Sequence, residues 1–193
     1  KRFKCYTCDG NTKFEVEFIN NAESYTTKSS KCRNSAGITG TIINFEPDLD
    51  KFEITSIGAV HMNIIKQRLI ILAMTYPEIE FKFNGVKIKF KNYKQFVAMF
   101  GDNFEFIEFD NGFIAFFPTI TDEFNHFTIL NGQVLKNGGN HIEFINNKVI
   151  NFLRDKFSKK YKDIKPSDIK SKLMLVARFR NFPNPEYTSE TKE

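Results

Sequence analysis

Hydrophobic and polar residues alternate over residues 12 to 19, where Phe14, Val16 and Phe18 are separated by glutamates. A period of two is typical of a β-strand that buries one face. A second strand is predicted from Gly40 to the next proline, because proline cannot donate a hydrogen bond to a sheet ladder. The polar stretch between the two strands, which is rich in Ser and Thr, predicts an edge strand followed by a loop.

The spacing of apolar residues then changes to three or four. Val60, Ile64 and Ile71 keep this spacing and Pro77 follows them, so a long helix is predicted over 57 to 76.

A second long helix is predicted after the Gly-Gly pair at 138 to 139. Its apolar positions form one stripe, which is expected to face the core: Ile142, Ile145, Val149, Phe152, Leu153 and Phe157.

Turn residues divide the remaining chain into short elements. The Asn-Gly pair at 84 to 85 readily adopts the positive φ angles of a type I′ turn, which predicts a hairpin over 79 to 90. The Asp-Asn-Gly turn at 110 to 112 predicts a second hairpin, HFTILN and MLVARFR are predicted strands, and KNYKQFVAMF and DIKSKL are predicted short helices. This order of elements predicts an α+β fold.

The composition is that of a globular protein, with 41% hydrophobic and 26% charged residues and a core expected to be rich in its 23 Phe. No run approaches the ~20 apolar residues of a membrane helix, so a soluble, cytoplasmic protein is predicted. The chain begins without Met or a signal peptide, which indicates a fragment of a longer protein. The net charge of +5 is compatible with a polyanionic partner without specifying one.

Three cysteines, an odd count, argue against a disulfide framework and suit a reducing cytosol. Cys5 and Cys8 have the C-x2-C spacing of half a zinc site, and Cys32 is a possible third ligand. The second half of such a site is missing from the sequence, so free thiols on strands are favoured over structural zinc.

Basic residues concentrate between 154 and 165, where Lys156, Lys159 and Lys160 are predicted to project from a helix beside its apolar stripe. They are either phosphate contacts or the solvated end of a helix, where cations suit the helix dipole. The Gly-Gly pair at 138 to 139 can present amides to an anion, but a sharp turn into the helix is favoured. His141 has no partner carboxylate in the sequence and is assigned no chemistry.

The established catalytic motifs of nucleotide-binding, serine and zinc enzymes are absent from the sequence. The chain closes on NPEYTSETKE, which is either a frayed tail or a phosphate-binding loop.

Four segments, taken in order, resemble the ATPase region of type II DNA topoisomerases. They are GTIINFEPDLDKF, the helix of 57 to 75 with the NGVKIKFKNYKQFV that follows it, NGGNHIEFINNKVINFL and NPEYTSETKE. The family has a Gly-Thr strand ending in Phe-x-Pro-Asp, an Asn-Gly hairpin, a Gly-Gly-x-His helix start and Asn-Pro-x-Phe-x-Ser-Gln-Thr-Lys-Glu. The match is closer to the eukaryotic and T-even phage branch than to bacterial gyrase.

The resemblance implies three parts. Residues 1 to 50 resemble the last strands of a GHKL ATP-binding domain, 51 to 188 a transducer domain with a left-handed β-α-β crossover like that of a ribosomal small-subunit protein, and 189 to 193 a nucleotide-sensing loop. ATP and Mg²⁺ are the implied cofactors. The family's magnesium-binding residues and glycine-rich lid have no counterpart in this sequence, so the chain alone is expected to be inactive.

The resemblance also assigns site residues. Gly40 and Thr41 match the motif that holds the adenine side of ATP, and Glu190, Thr191 and Lys192 match the loop at the γ-phosphate. Lys192 is the expected catalytic residue, since an ammonium offers three donors and a charge to the phosphate oxygens. Glu190 replaces the family's Gln, and because two anions repel, it is expected to turn away, pair with a cation or bind as the neutral acid.

The function implied is that of an ATP-hydrolysing type II DNA topoisomerase, in which the transducer couples ATP hydrolysis to DNA strand passage. Its implied partners are double-stranded DNA, contacted by the three lysines at 156, 159 and 160, other topoisomerase subunits, and a second ATPase region in an ATP-dependent homodimer. The alternatives are a MutL-type mismatch-repair ATPase, a non-catalytic nucleic-acid-binding module, or a purely structural dimerisation domain.

Overall fold

The computed structural model describes residues 1 to 32 and 39 to 187. The chain divides into two compact units, Lys1–Met62 and Asn63–Glu193, and the boundary falls within helix α1 (Ala59–Thr75). Both units contain sheets, and the second also contains helices, so the predicted α+β class is confirmed.

The first unit contains one antiparallel sheet with the strand order β3-β2-β1-β4. Its strands are β1 (Arg2–Asp9), β2 (Thr12–Ile19), β3 (Ser24–Lys31) and β4 (Thr39–Glu46), and a 3-10 turn, Leu49–Phe52, follows them. The two strands and the edge strand predicted here from alternation and polarity are confirmed. The predicted loop lies largely outside the described residues.

The two faces of this sheet differ in chemistry because side chains alternate along each strand. On one face Phe3 lies opposite Phe18 and Phe45, and the Phe3 and Phe18 ring centroids are 6.3 Å apart. On the other face the Lys4 ammonium is 2.8 Å from a Glu15 oxygen and 3.4 Å from a Glu17 oxygen. The sheet therefore has one aromatic face and one ion-paired face.

The second unit is built on a five-stranded sheet with the order β10-β9-β11-β8-β7. Its strands are β7 (Glu105–Phe109), β8 (Gly112–Pro118), β9 (Asn125–Leu130), β10 (Gln133–Leu135) and β11 (Leu173–Phe179), and the other elements are the hairpin β5 (Phe81–Phe83) and β6 (Val86–Ile88) and helices α2 (Tyr93–Val97), α3 (Asn140–Phe157) and α4 (Pro166–Lys170). Strands β9 and β11 are parallel, and α3 and α4 lie between them in sequence, which makes a β-α-β crossover. Both predicted hairpins and all predicted helices are present.

The core of the second unit is rich in phenylalanine, as the composition predicted. Phe96, Phe113 and Phe117 are each no more than 4% exposed, and they pack with buried aliphatic residues of α1, β9 and β11. Gly112 opens strand β8 within this core. A Cβ at this position would lie 1.9 Å from the Arg178 carbonyl oxygen, so close strand packing requires glycine here.

The apolar stripe predicted for α3 is partly wrong. Ile142 is buried, but Phe152 is 63% exposed and Phe157 is 38% exposed, whereas Asn146 and Ile150 are buried. The fully buried residues are spaced by four and end at Ile150, while the predicted stripe residues Ile145, Val149 and Leu153 are half-buried. The periodicity of the sequence predicts an apolar stripe along the helix. Packing against the rest of the unit decides which side of the helix is buried and over what length.

Candidate functional site

Gly40 and Thr41 lie near the beginning of strand β4, which pairs with β1 along its whole length. The register places Gly40 opposite Cys8 and Thr41 opposite Thr7. This pairing positions the two predicted nucleotide-site residues at one end of the four-stranded sheet, beside the turn between β1 and β2.

Thr7 contacts both predicted residues. Its hydroxyl donates a hydrogen bond to the Gly40 carbonyl oxygen at 3.4 Å, and its Oγ1 lies 3.3 Å from the Thr41 Oγ1. Thr7 was not predicted from the sequence, because its contact with Thr41, 34 residues further along the chain, depends on the register between two strands. A motif could identify Thr41 alone, but only the fold adds Thr7.

A concavity of about 870 Å³ surrounds these residues within the first unit. It is lined by Tyr6, Thr7, Cys8, Lys13, Phe14, Glu15, Lys28, Ser29, Ser30, Thr39, Gly40, Thr41 and Ile42. Two lysines and one glutamate supply its charged groups, which leaves one net positive charge beside several hydroxyl groups. Most of the lining surface is apolar, so it can accept a ligand that combines an apolar body with negative charge.

Gly40 has free space around it. A Cβ added at this position would meet no heavy atom within 4 Å, and the Gly40 φ angle is outside the left-handed region. The backbone therefore does not require glycine at this position, and the adjoining space is open to a ligand.

The remaining predicted nucleotide-site residues, Glu190, Thr191 and Lys192, lie outside the described residues. The chain that follows β11, here called the terminal segment, is described up to residue 187 and is attached to the sheet near its beginning. The Asn131 side chain donates to the Phe182 carbonyl oxygen at 3.0 Å and accepts from the Phe182 N–H at 3.0 Å.

The three predicted DNA-contacting lysines are exposed, but they do not share one helix. Helix α3 ends at Phe157, so Lys156 lies in its last turn and Lys159 and Lys160 lie in the turn that follows. The prediction that all three project from a helix is wrong, because α3 ends at Phe157, before the second lysine, and the chain continues in a turn in which the Lys160 and Tyr161 N–H groups donate to the Phe157 carbonyl oxygen. Within residues 1 to 32 and 39 to 187, none of the three forms an ion pair, so their charges are available to an anion.

The Gly-Gly pair forms the predicted sharp turn into α3, with φ angles of +82° and +148°. His141 in the first turn and His126 on β9 are half-buried, and their rings lie among Phe124, Phe179 and Phe182. Burial lowers the pKa of both histidines, and the nearby His126 contributes to the lowering at His141. Neither contacts a carboxylate among the described residues, and both pack against aromatic side chains.

The cysteines do not form the half zinc site that their spacing offered. On a strand, positions three apart point to opposite faces, and Cys5 and Cys8 both lie on β1. Cys8 instead contacts Cys32, with 3.3 Å between the two Sγ atoms. Cys5 and Cys8 are free thiols, and no group of three or more His, Cys, Asp or Glu is placed to hold a metal within the described ranges.

Two solved ATPase regions of topoisomerase II have this fold. The ATPase region of Saccharomyces cerevisiae topoisomerase II matches with a TM-score of 0.82 and 21% identity, over all of this chain and 51% of that one. The ATPase and transducer domains of topoisomerase II from Balamuthia mandrillaris match with a TM-score of 0.87 and 21% identity, over all of this chain and 52% of that one. At this identity the likeness establishes the fold.

Similarity in sequence also relates the chain to DNA topoisomerases. The DNA topoisomerase large subunit of Enterobacteria phage T4 is 32% identical over 155 residues, which are 80% of this chain and 30% of the phage protein. DNA topoisomerase 2 of Acanthamoeba polyphaga mimivirus is 28% identical over 204 residues, covering 99% of this chain and 16% of that protein. No protein-family model matches the chain.

The chain is therefore homologous to part of the type II DNA topoisomerases, as the four sequence segments predicted. This homology supports a topoisomerase fragment over a MutL-type ATPase, a non-catalytic nucleic-acid-binding module and a structural dimerisation domain. The chain spans less than a third of the length of the curated relatives it matches. Within the described residues, no helix is both long and apolar enough to cross a membrane.

Proposed function

We propose that this chain is the nucleotide-coupling part of an ATP-hydrolysing type II DNA topoisomerase that acts in the cytoplasm, that of the host if the protein comes from a phage. Residues 1 to 50 complete an ATP-binding domain, 51 to 188 form the transducer, and 189 to 193 carry the nucleotide-sensing loop. The observation that carries the proposal is the 32% identity with the phage T4 large subunit over 80% of the chain.

In this proposal the Gly40 and Thr41 end of β4 receives the adenine side of ATP. The hydroxyl groups of Thr7 and Thr41 and the open space at Gly40 suit a polar ring edge. Lys192 approaches the γ-phosphate and stabilises the charge that develops on it during transfer. Mg²⁺ is a second cofactor, held by residues outside this chain.

A nucleotide contact that exists before hydrolysis and is lost afterwards is the differential interaction that a conformational switch requires. Through it, the transducer reports the state of the nucleotide to the parts of the enzyme that cut and pass DNA. Double-stranded DNA, the other subunits and a second ATPase region are the partners of this cycle. Lys156, Lys159 and Lys160 contact the phosphate backbone of the captured duplex.

ATP hydrolysis by a longer subunit that contains this chain tests the proposal. Lys192→Ala is expected to lower the rate about a hundredfold, a loss of about 3 kcal/mol of transition-state stabilisation. Lys162→Ala, which removes a lysine from the exposed segment after α3, is the matched control and is expected to leave the rate unchanged. Equal rates for wild type and a folded Lys192→Ala variant would refute the assignment of the terminal loop.

The adenine-side assignment has its own test. Gly40→Ala is expected to fold normally, because its methyl group meets no protein atom within 4 Å. If ATP occupies that space, the methyl group raises the KM for ATP. An unchanged KM in this variant would place the nucleotide elsewhere.

DNA contact is tested by the salt dependence of binding. Replacing Lys156, Lys159 and Lys160 by alanine is expected to weaken DNA binding. The slope of log K against log salt concentration is expected to become less steep by about 0.9 for each phosphate contact that is lost. The control variant removes Lys82 and Lys87, whose charges are already paired with Glu80. An equal loss in both variants would mean a general charge effect and no contact by this segment.

A further inference from the structure

The thiols of Cys8 and Cys32 are in contact, although strand β2 lies between the strands that carry the two residues. Cys8 lies near the end of β1 and Cys32 directly follows β3, with β2 between those strands in the sheet. Their Sγ atoms are 3.3 Å apart, which is within the range of a thiol hydrogen bond and beyond the about 2.05 Å of a covalent bond. Residues 24 positions apart in sequence therefore place two thiols in contact.

The backbone at both cysteines is held in place. Cys8 is paired with Lys13 on one side and with Gly40 on the other. The Cys32 N–H donates to the Asn11 carbonyl oxygen at 2.5 Å, which attaches it to the turn between β1 and β2. The contact between the thiols is thus a consequence of the sheet and does not depend on a chance orientation of a loop.

The same turn is closed from within. The Asp9 carboxylate accepts hydrogen bonds from the Asn11 and Thr12 N–H groups at 2.8 and 2.7 Å. These bonds fix the turn on which Cys32 rests.

Cys5 is an internal comparison. It lies on the same strand as Cys8 but on the opposite face, where it is paired with Val16 and Ile43. Both Cys5 and Cys8 are half-buried, so they differ in having a neighbouring thiol rather than in their exposure.

We infer that Cys8 and Cys32 are a redox modification site that forms a reversible disulfide. The oxidant is a low-molecular-weight disulfide of the glutathione class. One protein thiolate attacks a sulfur of glutathione disulfide, forms a mixed disulfide and releases one glutathione thiolate. The second protein thiolate then attacks the protein sulfur of the mixed disulfide and releases the second glutathione. Two protein thiols are oxidised by two electrons, and one glutathione disulfide is reduced to two glutathiones.

The site borders the concavity described above, since Cys8 is one of its lining residues and is paired with Gly40. Oxidation joins the wall of that concavity to the end of β3. The inference concerns the thiols alone, and it does not rest on the proposed topoisomerase function.

The experiment incubates the full chain with glutathione disulfide, counts the remaining thiols and identifies linked tryptic peptides by mass spectrometry. The wild type is expected to lose two of its three thiols to an intramolecular bond that dithiothreitol reverses. Cys5→Ser is expected to form the same bond. Cys8→Ser and Cys32→Ser are expected to form none and to retain glutathione as a mixed disulfide on the remaining partner.

The same reaction in denaturant tests whether the folded sheet brings the two thiols together. When the sheet is unfolded, Cys8 and Cys32 are expected to lose their preference for each other over Cys5. A bond that involves Cys5 in the folded chain would overturn the inference. So would bonds formed only between chains, or glutathione bound at Cys8 and Cys32 without a bond between them.

Discussion

Asn131 and Phe182 are joined by two hydrogen bonds, each 3.0 Å long, between the carboxamide of one residue and the backbone of the other. Asn131 stands in the turn between β9 and β10 with a positive φ of 48°. Its own backbone N–H donates to the Phe179 carbonyl oxygen, and its carbonyl oxygen accepts from the Tyr76 hydroxyl. One turn residue thus fixes the base of the terminal segment to the sheet and to the end of α1.

Asn131→Gly should release this segment while keeping the turn, because glycine accepts a positive φ without strain. The loss of two partly exposed hydrogen bonds is expected to reduce the free energy of unfolding by about 1–2 kcal/mol. Amide hydrogen exchange at Phe182 is expected to become faster, while exchange within β8 stays unchanged. Unaltered protection at Phe182 would show that other contacts hold the segment.

Arg178 is only 1% exposed, and no carboxylate among the described residues forms an ion pair with it. Its guanidinium donates to the Thr75 carbonyl oxygen at 2.6 Å and to the Tyr93 hydroxyl at 3.0 Å. The Thr75 carbonyl belongs to the last turn of α1, where the helix dipole is negative. The adjoining Arg180 on the same side of the unit forms an ion pair with Glu78. The partial negative charge at the C-terminal end of α1 therefore stabilises the buried guanidinium of Arg178.

Arg178→Met is expected to destabilise the second unit by about 1–3 kcal/mol, since it leaves a buried carbonyl and a hydroxyl without their donor. Tyr93→Phe removes only one of the two bonds and is expected to cost about 1 kcal/mol. Urea unfolding of both variants measures the difference. Equal losses would indicate that the bond to Thr75 contributes little.

The two half-buried histidines predict a dependence of stability on pH. Burial lowers the pKa of His126 and His141 below the usual value of 6.5. Above about pH 6.5 both are neutral in the folded and the unfolded chain, so their contribution is fully present. As the pH falls further, the unfolded chain binds protons first, and the free energy of unfolding decreases until the folded-state pKa values are passed.

Urea unfolding between about pH 7.5 and 5.5 measures this effect while most carboxylates remain ionised. The variant with both His126→Gln and His141→Gln is expected to show a flatter profile than the wild type. A wild-type slope in the double variant would assign the dependence to other groups.

Much of the fold was predictable because local patterns carried it. Alternation of apolar and polar residues predicted β2, and Pro77 correctly marked the end of α1. The Asn-Gly pair at 84 to 85 forms the predicted hairpin turn, with φ angles of +49° and +79°. The short strand β10 was not predicted, since its three residues are too few to show a period. In the candidate site, the motif around Gly40 and Thr41 was predicted, whereas the contacts of Thr7 were not.

The sequence by itself determined the class of elements, their order and the family to which the chain is related, because periodicity, turn residues and motifs are properties of short segments. Only the tertiary structure decided which distant residues meet. It set the register that joins Thr7 to Thr41, the contact between Cys8 and Cys32, and the burial of Arg178 against the end of α1. The physical reason is that a local pattern selects a face or a turn, whereas strand register and helix rotation are settled by packing between segments far apart in the chain.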